Sequence, residues 1–190
     1  MIERLSFVRP LIITVRDANE GGGQKSWSVR KRCELYRKFM PYATFIDIEA
    51  STVHLFADII KLAKKSGVGI IISFHDFMKT PSSEELCRVG DICYKVGGDV
   101  FKIAVKVRDR RDLIELQTAA DVLIRAYDFK VTTMAMGKPF GEISRYLDVI
   151  SGGPFLYGFL FLISVNGQPN ALQATRVFEK LGCSLFDPEN

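Results

Sequence analysis

Six runs of apolar and β-branched residues, each followed by a stretch with helical periodicity, constrain this chain more than any other feature. The runs are Leu11–Val15, Thr44–Ile48, Gly69–Phe74, Val100–Val105, Lys130–Met134 and Phe155–Leu162, and the helical patterns occupy 26–40, 52–66, 82–96, 109–126, 141–150 and 170–181. Strands that alternate with helices pair in parallel, because each helix returns the chain to the starting end of the sheet. Local signals agree with this division. Pro81 and Ser82-Ser83-Glu84-Glu85 make a helix start with an acidic first turn, and Lys65-Ser66-Gly67 makes a helix stop. No repeat, low-complexity segment or linker interrupts the pattern, so residues 1–190 read as a single domain. A closed α/β barrel of the commonest type needs eight units and about 250 residues. Six units in 190 residues therefore mean either an open sheet or a barrel lacking two units at the N-terminus.

Composition removes several classes of function. Hydrophobic residues make up 47% of the chain and charged residues 25%, enough apolar material for one core. Lys and Arg number 26 against 22 Asp and Glu, a net charge of +4. The densest basic stretch, Arg108, Arg110 and Arg111, alternates with Asp109 and Asp112 and reads as a solvated helix start rather than a nucleic-acid groove. Phe155 to Val165, the longest apolar stretch, contains Gly158 and Ser164 and is shorter than the roughly 20 residues that cross a membrane. The first ten residues lack the apolar core of a signal peptide. Cys33, Cys87, Cys93 and Cys183 have no CxxC spacing, so neither a zinc site nor a disulfide framework is expected. These readings together lead us to expect a cytoplasmic protein in a reducing compartment, with no nucleic-acid or membrane partner.

In parallel α/β proteins chemistry collects at the carboxyl ends of the strands. Here those positions hold Arg16, then Asp47 and Glu49, then His75 and Asp76, with Lys102 inside its strand and Ser164 after the last run. Lys102 is flanked by Val100, Phe101, Ile103 and Ala104. A buried amine is costly to charge, which makes it a nucleophile, whereas a strand lysine that extends its amine to solvent is inert. His75 closes the preceding run and favours the first alternative, since an amine and an imidazole on adjacent strands suit Schiff-base chemistry. Asp47 and Glu49 share one strand face; two carboxylates without a third ligand are a weak metal signal, and hydrogen bonding to a basic neighbour is the plainer reading. His54 lies on an amphipathic stretch as a surface or packing residue, and Gly21-Gly22-Gly23 lacks the continuation of a phosphate loop.

Six ordered segments resemble the type I 3-dehydroquinate dehydratase family. They are residues 14–22 (TVRDANEGG), 46–49 (IDIE), 73–77 (SFHDF) with 79–81 (KTP), 101–104 (FKIA), 143–145 (ISR) and 164–168 (SVNGQ). The resemblance implies an α/β fold of the TIM-barrel (β/α)8 type with the first two β/α units missing and six present. With those units goes an E-x-R motif that, in the family, binds substrate hydroxyls. It implies dehydration of 3-dehydroquinate to 3-dehydroshikimate, a step of the shikimate pathway toward aromatic amino acids, with neither metal nor organic cofactor. Lys102 would form the Schiff base, and His75 would move protons, held and polarised by Glu20 and Asp47. Arg145 would bind the substrate carboxylate, Arg16 its hydroxyl side, and Ser164 and Gln168 would close over the site. The closing segment reads S-V-N-G-Q where the family usually has S-A-P-G-Q.

Two other functions compete with this one. Another class I, aldolase-like lyase would want a glycine-rich phosphate loop late in the chain, for which Gly152-Gly153 is thin support. A non-catalytic, regulatory homologue would be expected to lack Lys102 or His75, and both are present. Six strands leave two bare edges, at Leu11–Val15 and Phe155–Leu162, and pairing of an edge with a second copy as a homodimer is one way to cover them.

Overall fold

The computed structural model describes residues 10–23, 27–161, 167–180 and 182. Five parallel strands form one sheet in sequential order: β1 (Ile12–Thr14), β2 (Phe45–Glu49), β3 (Gly69–Asp76), β4 (Val100–Lys106) and β5 (Lys130–Met136). The helices are α1 (Val29–Phe39), α2 (Ala57–Lys65), α3 (Ser83–Val96), α4 (Arg110–Ala126), α5 (Phe140–Ile150) and α6 (Ala171–Lys180). Sequential order means that each right-handed crossover steps the same way, so the crossover helices collect on one face of the sheet.

The two faces of the strands differ accordingly. Ile46, Ile48, Ile70, Ile72, Phe101, Ile103, Val105 and Val131 form the main core with Ile59, Leu86, Leu116 and Leu123 from the helices. On the opposite face the register places Glu49 beside Ser73, Ser73 beside Lys102, and Lys102 beside Thr132. Asp47 and His75 share that face with the row, because strand side chains alternate. Helix ends follow their sequence signals. Ser82 caps α3 in a reciprocal bond with Glu85, and Asp109 caps α4 amid the exposed arginines. The expected helix at 52–66 is divided: residues 53–56 form a tighter turn and α2 begins at Ala57. No described helix is long and apolar enough to cross a membrane.

The expected sixth strand is corrected. Residues 155–161 form no strand, and Phe159 makes only an isolated bridge to Asn170; Leu162 lies outside the described residues. The reason lies at the outer edge of β5. Thr133 N–H donates to Asp148 Oδ1 (2.6 Å), Ala135 N–H donates to Ser144 Oγ (2.9 Å), and the Ala135 carbonyl accepts from Arg145 Nη1 (3.1 Å). Side chains of α5 therefore occupy the groups that a sixth strand would bond. The described sheet has five strands, not six.

Candidate active site

Asp47 is the hub of the polar face. Buried on β2, its Oδ2 accepts from Arg16 Nη2 (2.6 Å) and from Lys102 Nζ (3.1 Å), while its Oδ1 accepts from Ser73 Oγ (2.6 Å). Burial alone would push its pKa up. Lys102, Arg16 and the Ser73 bond outweigh that and hold the carboxyl well below the usual range. The hydrogen-bonding reading of Asp47 and Glu49 is therefore the one the structure has. Its oxygens bond Arg16, Lys102 and Ser73, so Asp47 makes no hydrogen bond to His75 among the described residues and polarises it only through its charge, which raises the imidazole pKa.

Lys102 is 8% exposed on β4. Burial is the largest influence on its amine and lowers the pKa; Asp47 opposes this and Arg16 adds to it. The net direction is downward, which raises the fraction of neutral, nucleophilic amine. His75 sits one strand away, paired in register with Ala104 two residues past Lys102. Its Nδ1 is 2.9 Å from Glu20 Oε2, and Ser51 Oγ donates to the other Glu20 oxygen. Burial lowers the imidazole pKa, the Glu20 bond raises it, and Arg16 and Lys102 lower it further, so the net shift is downward. Glu20 reaches His75 from a short turn, Ala18–Glu20, that ends at Gly21 in the left-handed region (φ 85°), a conformation that glycine adopts without strain.

Beneath this lies a layer that the sequence did not disclose. Arg32, on α1 and 1% exposed, donates to both Glu49 Oε2 and the Val15 carbonyl (2.8 Å). Glu49 also accepts from the Asp17 amide (2.8 Å) and Arg16 Nη1 (3.3 Å). Tyr36 O–H donates to the Asp47 carbonyl (2.6 Å) and accepts from the Val15 amide (3.2 Å). Arg32 and Tyr36 lie four apart, the one signal in the sequence that they share a helix face.

Arg145 stands on α5 behind the end of β5. Its Nη1 donates to the carbonyls of Ala135 (3.1 Å), Gly141 (2.5 Å) and Gly167 (3.0 Å), and its buried Nε has no partner among the described residues. No carboxylate lies within 4 Å of it among those residues, and burial lowers its pKa to about 10 despite Asp148. Gln168, half-buried, follows Gly167, whereas Ser164 lies outside the described residues. His54 is exposed. Cys33, Cys87 and Cys93 are free thiols, and Cys183 lies outside the described residues. Shallow cavities at the amino ends of β2 and β3 and along β1 touch neither Lys102 nor His75.

A singly wound parallel α/β sheet that buries an amine beside an imidazole–carboxylate pair defines a class: parallel α/β proteins with their chemistry on one face and toward the carboxyl ends of the strands. Comparison with known proteins narrows it. Residues 1–183 match the model of the type I 3-dehydroquinase family, and this chain belongs to that family. The 3-dehydroquinate dehydratase of Enterococcus faecalis is 33% identical over 172 residues, covering 88% of this chain and 67% of that protein. The enzyme of the same name from Thermodesulfovibrio yellowstonii is 29% identical over 177 residues, covering 91% and 73%. A crystal structure of type I 3-dehydroquinate dehydratase from Clostridium difficile superposes with a TM-score of 0.84 at 30% identity, covering 94% of this chain and 72% of that one.

Proposed function

We propose that this chain is a hydro-lyase that dehydrates 3-dehydroquinate to 3-dehydroshikimate through a Schiff base on Lys102. The observation that carries the reading is the buried amine of Lys102, 3.1 Å from Asp47, on the strand next to the His75–Glu20 pair. Membership of the family supports the substrate and the reaction class.

The residues divide the chemistry as follows. Neutral Lys102 adds to the C3 ketone, and the carbinolamine loses water to give the iminium. His75, uncharged because burial depresses its pKa, takes a proton from C2. The electron pair passes into the iminium as an enamine and returns to expel the C1 hydroxyl, which His75 protonates as it leaves. Water then hydrolyses the product iminium and releases the amine, so the water lost in its formation is restored and the net loss is one water. The iminium is the electron sink, and the sequence of steps calls on neither a metal nor an organic cofactor. Arg145, a buried cation whose bonds go to neutral carbonyls, suits a substrate carboxylate. Arg16 faces the hydroxyl side, while Gln168 and Ser164 belong to the closing segment. We read residues 1–190 as one domain, part of a barrel of the family's TIM type, acting in the cytoplasm.

Borohydride reduction in the presence of 3-dehydroquinate tests this. A single adduct should map to the peptide carrying Lys102, and Lys102→Ala should abolish it. Labelling at Lys106 or Lys138 instead would remove Lys102 from the mechanism.

A further inference from the structure

The segment that was expected to form a sixth strand carries Tyr157, whose ring centroid lies 4.6 Å from Lys102 Nζ. Anchors on either side hold it there. Phe155 packs edge-on against Phe45 at 5.3 Å, and Phe159 exchanges backbone bonds with Pro169 (3.0 Å) and Ala171 (2.8 Å). Between them, a Cβ at Gly158 would stand 3.0 Å from the Pro169 carbonyl and 3.1 Å from Ala171 Cα, so a larger residue would push this backbone apart by a few tenths of an ångström. The placement of the ring is thus a product of several tertiary contacts.

We propose that Tyr157 is a further residue of the amine site, its ring face stabilising the positive charge that Lys102 carries as ammonium and then as iminium. The iminium half rests on the dehydratase reading above. Asp47 carries only part of this task. Asp47 Oδ2 is shared, closer to Arg16 (2.6 Å) than to Lys102 (3.1 Å), so its charge is already largely engaged. Conversion of an ammonium to an iminium reduces three N–H donors to one and loosens the hydrogen bonding. A ring quadrupole attracts a cation without needing any particular proton, and it acts most strongly where water is excluded. The Tyr157 hydroxyl is buried with no partner among the described residues, and burial pushes its pKa up, so the phenol stays neutral and leaves the charge to Lys102.

Three variants separate the ring from the hydroxyl and from mere coverage: Tyr157→Phe, Tyr157→Leu and, should the leucine variant fold poorly, Tyr157→Met. The pH dependence of Lys102 carbamylation by cyanate, read by peptide mapping, follows the amine without any substrate. Tyr157→Phe should match the parent chain. In Tyr157→Leu or Tyr157→Met the amine pKa should fall, because the ammonium loses its ring, and the borohydride-trapped adduct should drop about 3- to 30-fold. An unchanged or raised amine pKa overturns the proposal, since a ring that only excluded water would, on removal, let the pKa rise. A Tyr157→Phe variant that behaves like Tyr157→Leu overturns it too, by assigning the effect to the hydroxyl. A fall in amine pKa with no adduct even in the parent chain upholds the ring contact and sinks the dehydratase reading instead.

Discussion

His75 and Glu20 set the pH response of the site. Glu20 is the one influence among its neighbours, besides Asp47, that raises the imidazole pKa; burial, Arg16 and Lys102 lower it. Replacing Glu20 by Gln should therefore move the acid limb of the kcat/KM profile to lower pH, since the imidazole then protonates later on acidification. An acid limb that moves upward instead would show that Glu20 does not act on His75 through its charge. His75→Ala should lower turnover by about 10²–10⁴, the usual worth of a positioned acid–base group. Trapping on Lys102 should survive that change, because addition to the ketone does not need the C2 proton. Near-parental turnover in the alanine variant would take His75 out of the reaction.

At the scale of elements, α5 does the work that a neighbouring strand would do. Asp148 is the titratable member of this arrangement, accepting from Thr132 Oγ1 (2.7 Å), Thr133 N–H (2.6 Å) and Thr133 Oγ1 (2.9 Å), with Arg145 nearby. Burial raises its pKa from 3.8 to about 6, against the pull of those bonds. The folded chain thus holds this proton longer than the unfolded chain does. The stability linked to it is fully present below the unfolded value and is lost as pH rises through 6. The loss should be on the order of 3 kcal/mol, at about 1.4 kcal/mol per pKa unit. Urea unfolding between pH 4 and pH 7.5 measures it, and Asp148→Asn, which keeps an acceptor for Thr133, should flatten the curve over about that span. A parent stability that, relative to Asp148→Asn, rises over the same range would contradict the assignment.

At the scale of the whole molecule, one sheet has two unlike edges. The N–H groups of Thr133 and Ala135 and the Ala135 carbonyl on β5 are bonded to α5 side chains. Those of Ile12 and Thr14 on the three-residue β1 have no partner among the described residues. Native-state hydrogen exchange should resolve the difference. The amides of Thr133 and Ala135 should exchange on the order of 100-fold more slowly than those of Ile12 and Thr14, although all four lie on edge strands. Equal exchange at the two edges would mean that the side-chain bonds close nothing. Among the described residues, the β1 edge and not the Phe155 segment offers unbonded backbone groups to a second strand.

How far the sequence alone carries depends on the range of the interactions involved. The order of the first five strands and their helices, the helix starts at Ser82 and near Asp109, and the placement of Lys102 and His75 on adjacent strands were all legible. They follow from local periodicity and from the rule that parallel strands expose their carboxyl ends on one side. The motifs also carried the family, which the comparisons establish. What the tertiary structure decided was every choice between competing partners. Asp47 bonded Lys102 and Arg16, and the hydrogen bond to His75 went to Glu20. Arg32 and Tyr36, on a helix the sequence marked only by its periodicity, turned inward because Glu49 and the Asp47 carbonyl waited there. The run from Phe155, apolar enough for a strand, lost its ladder to Asp148 and Ser144 and brought Tyr157 onto the amine. Periodicity states which residues seek burial or a hydrogen bond; only the folded chain brings distant groups close enough to determine which partner each one finds.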